Sequence, residues 1–291
     1  MSLPPGTAVR RIGPREFDFS HQVAVMAIVN RTPDSFYDRG RTDSLDTAVA
    51  AAERAIDEGA DWIDVGGAKF APGPAIPVAE EIDRVVPIVA ALAGSGAVIS
   101  VDTFQPDVAR AAIAAGAHVV NDTTGLHDPA MADVVAETGA TVVVTHSLAA
   151  PRTPHPSPQY ADVVDEVVAF LRERVAFAEA RGVASDRIVV DPGHDLNKHT
   201  VHSLELTRRL REVTALGYPT LVALSNKDFV GESLGRPREQ RVEGSIAAAV
   251  YCVLQGARIV RVHNVRETVD AMRMIEAIEG WREPAFLEHN R

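Results

Sequence analysis

The chain has 291 residues, of which 46% are hydrophobic and 24% charged, with a formal net charge of -11 at pH 7. This composition is typical of a globular protein with a large core, and the acidic balance without a Lys/Arg run argues against nucleic acid or anionic lipid as a partner. Cys252 is the single cysteine, so no intrachain disulfide can form, which suits a reducing compartment. The sequence has no long apolar segment and no signal sequence, so we expect a cytoplasmic protein with no membrane contact.

Eight short segments rich in valine and isoleucine recur along the chain. Each is almost continuously apolar, which is typical of a parallel strand that is buried on both faces, whereas a half-exposed antiparallel strand would alternate. We predict strands at 23–29, 61–65, 98–102, 118–121, 141–146, 187–191, 219–225 and 258–263.

The stretches between most of these segments are rich in alanine and show helical periodicity, for example at 45–57 and 163–180. Several end in a Gly-Ala pair that leads into the next strand, beginning at Gly59, Gly116, Gly139 and Gly256. Glycine readily adopts the left-handed conformation at a helix C-terminus, so the pair marks a repeated junction from helix to strand.

Alternating strands and helices predict parallel pairing with helical crossovers, which is the α/β class. Eight units over a length near the ~250 residues typical of a (β/α)8 barrel favour a closed TIM barrel in a single domain over an open doubly wound sheet. We expect an N-terminal arm at 1–20, with an arm or short hairpin at 2–19 under the barrel floor. The barrel should follow at 21–280 and a C-terminal tail at 281–291.

Polar residues follow seven of the eight predicted strands. In a (β/α)8 barrel the reacting groups come from the carboxyl ends of the strands and from the loops after them. A single Asp or Asn at such a place is often the N-cap of the next helix, but capping does not account for seven ends. These polar ends lie at 30–35, 102–103, 121–122, 146, 191–195, 225–228 and 261–264.

The residue types at these ends suit a flat ligand that is rich in nitrogen. Asp102, Asn121 and Asp191 offer hydrogen-bond acceptors and donors to the edge of such a heterocycle. Asp191 and Lys227 could pair, each keeping the other charged. The planar guanidinium of Arg261 can stack on a π-face or bind an anion.

Two more candidate site residues meet where the last strand of the barrel pairs with the first. Closure places the eighth strand beside the first, so His263 and Asn30 lie at neighbouring strand ends. An imidazole and a carboxamide in this position can hold an oxyanion or a metal-bound phosphate.

These segments carry a family resemblance. Residues 26–36, MAIVNRTPDSF, resemble the opening signature of dihydropteroate synthases, which reads hydrophobic-Asn-x-Thr-Pro-Asp-Ser-Phe. The phrases SVDT at 100–103, VND at 120–122, VDPG at 190–193, SNK at 225–227 and RVH at 261–263 follow in the family's order. The resemblance extends from residue 22 to about residue 270 and implies a barrel with a pterin-sized pocket.

The resemblance also implies roles for these residues. It assigns the pterin ring to Asp102, Asn121, Asp191 and Lys227, with Arg261 stacked beside it. Asn30 would coordinate Mg²⁺ and the pyrophosphate of the substrate, and His263 with Arg261 would bind phosphate oxygens. In the family reaction, pyrophosphate leaves 6-hydroxymethyl-dihydropterin pyrophosphate and the amine of p-aminobenzoate attacks the resulting centre, with Asp102, Lys227 and Arg261 as the catalytic groups.

The second βα loop departs from the family pattern. The family reads Gly-Gly-Glu-Ser-Thr-Arg-Pro-Gly, whereas residues 66–73 read GGAKFAPG. Lys69 lies two positions from the missing arginine, and its point charge does not reproduce the bidentate geometry of a guanidinium. The loss of one such electrostatic contact costs on the order of 10²–10³ in rate.

Further departures lie around the same pocket. The usual Met-His-Met reads THS at 145–147, Gly-Phe-Gly-Lys is replaced within HDLNK at 194–198, Ser-Arg-Lys-Ser-Phe reads SNKDF at 225–229, and His-Asp-Val reads HNV at 263–265. These changes resemble the second dihydropteroate synthase paralogue of actinobacteria, a group regarded as poor or inactive in the synthase reaction.

The favoured hypothesis is a dihydropteroate synthase-like, pterin-binding protein of the folate pathway family with weak or no classical activity. A fully active synthase and a pterin-dependent methyltransferase with a corrinoid partner stay open as alternatives. The expected ligands are a pterin with p-aminobenzoate or sulfone-type analogues. The family is usually dimeric, and helices predicted at 242–254 and 267–278 carry apolar faces suited to a two-fold axis, so we expect a homodimer.

Overall fold

The computed structural model describes residues 8–30, 45–68, 73, 76–154 and 157–289. It opens with an antiparallel hairpin of β1 (Val9–Ile12) and β2 (Arg15–Asp18). Eight parallel strands follow, one within or overlapping each segment that the sequence predicts. They are β3 (Ala24–Asn30), β4 (Trp62–Gly66), β5 (Val98–Asp102), β6 (Val119–Asp122), β7 (Thr141–Thr145), β8 (Ile188–Asp191), β9 (Leu221–Val222) and β10 (Ile259–Val262).

The eight strands form a nearly closed barrel. Hydrogen-bonded neighbours follow the order β8-β7-β6-β5-β4-β3-β10-β9, and every pair is parallel. An isolated parallel bridge between Val190 and Thr220 joins the two outer strands of this order. The predicted single-domain (β/α)8 barrel is therefore confirmed, and β9 is shorter than the predicted strand at 219–225.

Helices cover the outside of the barrel. The predicted helices at 45–57, 163–180 and 242–254 have the predicted bounds, and the helix expected at 267–278 begins two residues earlier. In chain order the helices are α1 (Leu45–Asp57), α2 (Val78–Leu92), α3 (Pro106–Ala114), α4 (Pro129–Thr138), α5 (Val163–Ala180), α6 (Thr200–Arg208), α7 (Leu210–Thr214), α8 (Asp228–Leu234), α9 (Val242–Leu254) and α10 (Val265–Ile278).

Local sequence signals explain where several helices begin and end. The Asp162 side chain accepts hydrogen bonds from the backbone N–H groups of Val164 and Asp165 at the start of α5, as an N-cap does. The four glycines predicted to end helices, Gly59, Gly116, Gly139 and Gly256, all have positive φ angles, between 69° and 118°. The repeated helix-to-strand junction is thus confirmed.

Two apolar layers hold the barrel together. The outer layer packs strand residues such as Ile63 and Val65 against the helices, and Cys252 is buried there. The inner layer fills the interior of the barrel near its floor, where Trp62 is fully buried. The rings of Trp62 and Phe17 meet edge-to-face, with their centroids 6.0 Å apart. The Phe17 and Phe19 rings stack with their centroids 5.4 Å apart. Phe17 of β2 and Phe19 just after it therefore close the barrel floor.

Three expectations from the sequence concern the chain outside the barrel core. The described part of the chain contains no helix that is both long and apolar enough to cross a bilayer. The first residues of the expected arm, the motif at 31–36 and Lys69 lie outside the described residues. The boundaries expected at 20/21 and 280/281 stay predictions.

Candidate active site

The carboxyl ends of neighbouring barrel strands form one polar rim. Register pairs Asn30 of β3 with Gly66 of β4, Gly66 with Asp102 of β5, and Asp102 with Asn121 of β6. Farther round the barrel, Thr145 of β7 lies opposite Asp191 of β8. The predicted residues on these strands therefore lie at the carboxyl-terminal mouth of the barrel, where the sequence places them.

A buried carboxylate that the sequence analysis missed lies at the centre of this rim. Asp64, in the middle of β4, is fully buried. Its Oδ2 accepts hydrogen bonds from Arg261 Nε at 2.6 Å and Asn121 Nδ2 at 3.0 Å, and its Oδ1 accepts one from Ser100 Oγ at 2.6 Å. The signal was an acidic residue inside an otherwise apolar strand, because such a side chain needs polar partners when it is buried.

Arg261 joins Asp64 to the predicted residue Asp102. Its Nη2 donates to Asp102 Oδ2 at 2.8 Å, so one guanidinium contacts both carboxylates. We call Asp64, Ser100, Asp102, Asn121 and Arg261 the Asp64 cluster. Burial raises the pKa of Asp102 to about 7, although Arg261 opposes that rise. Asp102 can therefore accept or donate a proton near neutral pH.

The Asp64 cluster fixes the orientation of Asn121. Because Nδ2 is committed to Asp64, the amide presents Oδ1 on its other side. This Oδ1 is buried and has no hydrogen-bond partner within the described part of the chain. An unsatisfied buried acceptor costs about 1–3 kcal/mol, so a ligand N–H that reaches it gains that interaction. The free acceptor could serve a ring N–H, and the role of Asn121 toward a nitrogen-rich ring stays a prediction.

Lys227 and Asp191 influence each other without a direct contact. The Lys227 ammonium donates to the carbonyl oxygen of His194, and Asp191 Oδ1 accepts from Gly193 N at 2.7 Å. The described ion pairs do not include the direct Asp191–Lys227 pair that the sequence suggested. Burial lowers the pKa of Lys227, and Asp195 followed by Asp191 opposes this shift. Burial raises the pKa of Asp191, which Lys227 opposes.

A cavity of about 280 Å³ opens beside these residues. Three of the predicted residues line it, namely Lys227, Arg261 and His263. Burial, followed by Arg261 and Arg238, lowers the pKa of His263 to about 3, so its imidazole is neutral at pH 7. The other lining residues are Ile28, Asp195, Ala223, Ser225, Asn226, Asp228 and Arg238.

Asn30 ends β3, the strand that pairs with β10, so it lies at the strand end next to that of His263, as the sequence predicts. A Cβ atom placed on Gly66 would stand 2.5 Å from Asn30 Oδ1 and 3.7 Å from the Asp102 Cβ, so the carboxamide lies against Gly66 next to Asp102. Among the described residues, no group of three or more His, Cys, Asp or Glu side chains could hold a metal ion. One protein amide oxygen suits Mg²⁺ only where a ligand's phosphate oxygens and water complete the octahedron.

A second polar network behind the rim had no assigned role in the sequence. The buried Lys198 ammonium meets His146 Nδ1 at 2.8 Å and donates to the carbonyl oxygens of Gly193 at 2.9 Å and Leu196 at 3.1 Å. Burial lowers the pKa of Lys198 to about 7, and burial followed by Lys198 lowers that of His146 to about 2. This network ties the end of β7 to the loop after β8.

Comparison with known proteins matches residues 26–263 to the family described as pterin binding enzyme. The chain belongs to the pterin-binding enzyme family. It is 47% identical over 267 residues to a protein of Mycobacterium leprae named inactive dihydropteroate synthase 2, covering 89% of this chain and 92% of that protein. It is 43% identical over 262 residues to the dihydropteroate synthase of Escherichia coli, covering 89% and 93%.

Solved structures agree with this assignment. The Yersinia pestis dihydropteroate synthase with a sulfonamide drug complex has a TM-score of 0.89 and 38% identity, covering 94% of this chain and 100% of that one. The Xanthomonas albilineans dihydropteroate synthase with 4-aminobenzoic acid has a TM-score of 0.84 and 42% identity, covering 91% and 96%. The resemblance to dihydropteroate synthases, and to their second paralogue, is confirmed. These relatives do not favour the methyltransferase alternative or a fully active synthase.

Some departures from the dihydropteroate synthase pattern can be located in the structure. Asp195 and Asn197 replace its two glycines and keep positive φ angles of 62° and 51°. Asn226 and Asn264 replace an arginine and an aspartate, and Asn226 Nδ2 lies 3.4 Å from Asn264 Oδ1. The loop after β8 thus keeps a glycine-like backbone while its side chains differ. Lys69, Phe70 and Ala71 of the second loop lie outside the described residues.

Proposed function

We propose that this protein binds a pterin at the mouth of its barrel and has weak or no activity in the classical dihydropteroate synthase reaction. The Asp64 cluster carries the proposal, because it presents the carboxylate of Asp102 and the unpartnered Oδ1 of Asn121 side by side in a buried setting. Carboxylate and carboxamide groups fixed in this way match the donor and acceptor edge of a pterin. Lys227 and Arg261 add cations at the adjoining cavity.

Weak activity follows from the groups that surround this pterin site. The second-loop sequence lacks the arginine of the family pattern, so one charge-stabilising contact for a departing pyrophosphate is missing. The relative at 47% identity carries the name inactive dihydropteroate synthase 2. We therefore expect pterin recognition to persist while turnover is impaired by a factor of about 10²–10³ or more.

The test is a calorimetric titration of the whole protein with 6-hydroxymethyl-dihydropterin pyrophosphate and Mg²⁺. Addition of p-aminobenzoate with pyrophosphate release monitored then reports turnover. The Escherichia coli dihydropteroate synthase, 43% identical, is the positive control under the same conditions. Pterin binding with little or no release supports the proposal. Release at the rate of the control enzyme would show a working synthase, and no pterin binding would refute the site.

Asp191→Asn provides a matched check on the pocket. The change keeps the size of the side chain and replaces the carboxylate that accepts from Gly193 N and interacts electrostatically with Lys227. Charge-assisted hydrogen bonds contribute about 1.5–3 kcal/mol, so we expect pterin affinity to fall at least about tenfold. Asp165→Asn on the exposed surface of α5 is the control, since this side chain is 72% exposed. Unchanged affinity in Asp191→Asn would place the pterin elsewhere.

We also propose that Asn30 supplies one oxygen to Mg²⁺ when a pyrophosphate ligand is bound. The carboxamide lies against Gly66 beside Asp102, which is consistent with this role. Mg²⁺ would neutralise charge on the pyrophosphate, while Asn30 orients it. Asn30→Ala should weaken the Mg²⁺-dependent part of pyrophosphate binding and leave the binding of a pterin without phosphate unchanged. Equal loss for both ligands would contradict the metal role.

A homodimer through α9 and α10 is a further proposal. Tyr251 and Leu254 of α9 are 41% and 43% exposed, and Met274 and Ile278 of α10 are 59% and 64% exposed. The two helices contact each other, and exposed apolar side chains on neighbouring helices suit a self-complementary interface. Light scattering at micromolar concentration should give the mass of a dimer, and Met274→Glu should shift it toward a monomer. A monomeric wild-type mass would refute the proposal.

We propose a cytoplasmic location for the protein. Its single cysteine is buried and cannot form an intrachain disulfide, and a chain without disulfides suits a reducing compartment. Cell fractionation with an antibody against the chain should recover it with cytoplasmic markers. Recovery in the membrane or extracellular fraction would contradict this location.

A further inference from the structure

The loop after β8 carries an aspartate where the family pattern has a glycine. Asp195 keeps the left-handed backbone conformation, with φ at 62°. Aspartate and asparagine tolerate this conformation better than most other side chains, so an aspartate can stand at this position. What the replacement adds is a carboxylate, and that carboxylate lines the cavity beside Lys227.

Hydrogen bonds hold the Asp195 carboxylate in place. Its Oδ1 accepts from Ser203 Oγ at 2.8 Å, and its Oδ2 accepts from the backbone N–H of Phe229 at 3.2 Å. The backbone N–H of Asp195 donates in turn to Ser203 Oγ at 3.1 Å. With both oxygens engaged by neighbouring elements, the charge forms a fixed part of the cavity wall.

This carboxylate changes the electrostatic balance around Lys227. Asp195 and Asp191 both act on the Lys227 ammonium, which is buried. Asp228, the other carboxylate that lines the cavity, is already paired with Arg241 at 2.8 Å. Asp195 therefore offsets part of the Lys227 charge without a direct ion pair among the described contacts, in a cavity that Arg238 and Arg261 also line. An anionic group that approaches it would meet the like charge of Asp195.

We propose that Asp195 is a specificity-determining residue, which disfavours a carboxylate-bearing second ligand such as p-aminobenzoate and admits a neutral or cationic one. The inference rests on the proposed pterin site and deepens it. It gives a cause for weak synthase activity in the described structure, separate from the second loop. The cavity then selects its second ligand by charge, while the Asp64 cluster on the other side of Arg261 recognises the pterin.

The test compares two ligands of nearly the same shape, p-aminobenzoate and its neutral amide p-aminobenzamide. Dissociation constants are measured by calorimetry for the wild type and Asp195→Asn, both alone and with saturating 6-hydroxymethylpterin. Asparagine preserves the side-chain size and tolerates the left-handed backbone, so the variant removes mainly the charge. We expect the wild type to prefer the amide. Asp195→Asn should shift the affinity ratio about tenfold toward the carboxylate, the effect of removing one like charge a few ångströms away in a partly screened pocket.

Two further variants serve as checks. Asp195→Gly relaxes the backbone and should give the same shift, which covers the case in which Asp195→Asn folds poorly. Asn197→Gly restores the other family glycine at a residue whose side chain accepts from Ser147 Oγ and Leu148 N outside the cavity. It should leave the ratio unchanged.

The outcomes separate this inference from the proposed function. An unchanged ratio in both Asp195 variants overturns the inference, with or without bound pterin. Failure of both benzoic ligands to bind any variant also overturns it, because the cavity would then not be a second-ligand site. Failure of the pterin to bind the wild type refutes the proposed function instead, and the ratio measured without pterin still decides the role of Asp195.

Discussion

Replacing Asp64 with alanine tests whether the Asp64 cluster holds the site together. The change removes a fully buried carboxylate and leaves Arg261, Asn121 and Ser100 each without one partner. Breaking a buried ion pair from one side costs about 3–5 kcal/mol. Arg261 keeps its second bond to Asp102 at 2.8 Å, which offsets part of the loss. We therefore expect the free energy of unfolding to fall by about 3 kcal/mol.

A double-mutant cycle isolates the interaction between Asp64 and Arg261. Asp64→Ala, Arg261→Ala and the double variant are unfolded with urea, and the coupling energy is the departure of their effects from additivity. A contact at 2.6 Å in a buried setting should give a coupling of about 2 kcal/mol. Asp165→Ala on the exposed surface of α5 should leave the free energy of unfolding nearly unchanged.

The same variants are then titrated with 6-hydroxymethylpterin. Without Asp64 the orientation of the Asn121 amide is no longer fixed, so pterin affinity should fall more than tenfold. A loss of stability below about 1 kcal/mol, or a coupling below about 0.5 kcal/mol, would show that the cluster is not an energetic unit. A stable variant with unchanged pterin affinity would remove Asn121 from the recognition site.

Three further predictions concern the frame of the barrel. The pKa of Lys198 is lowered to about 7 from 10.5 by burial, so the folded state binds fewer protons between those values and gains stability as pH rises. Between pH 7 and 9 the urea-measured stability of the wild type should therefore rise by about 2 kcal/mol relative to Lys198→Met, and a constant difference would contradict the shift. Phe17→Ala opens the barrel floor and should cost about 3–5 kcal/mol in the same assay. Gly193→Ala should cost about 2 kcal/mol or more, because φ is 67° and the new Cβ would clash with the His146 carbonyl oxygen. Near-wild-type stability of Phe17→Ala or of Gly193→Ala would contradict the packing described.

The fold could be predicted from the sequence because its signals are local. Strands such as β4 and β5 are buried on both faces and mostly apolar, so their position is visible without knowledge of their neighbours. The helix-ending glycines likewise act within one turn of their own helix. The extent of β9 was less visible, since only Leu221 and Val222 pair with β10 while Thr220 bridges Val190. That length depends on how the barrel closes.

Part of the site was predictable, because the position of a residue at the end of a strand is also a local signal. Asp102, Asn121 and Asp191 end their strands, so chain position alone places them at the mouth. Asp64 lies in mid-strand, and whether it faces inward depends on the register of β4 against its neighbours. The contact of Lys198 with His146 spans 52 positions along the chain and depends on the folded loops. The rim of the site is therefore predictable from chain position, whereas the partners behind it depend on the folded structure.

The Asp64 cluster and the cavity beside Lys227 contribute differently to the stability of the fold. The Asp64 cluster must stay paired even without a ligand, because an uncompensated buried charge would cost several kcal/mol. Because stability alone requires this pairing, its presence does not report on turnover. Asp195 and His263 line the cavity, which we propose receives the second ligand. A substitution there changes the chemistry at small cost in stability, so a barrel of this kind can keep its pterin pocket while its reaction is lost or altered.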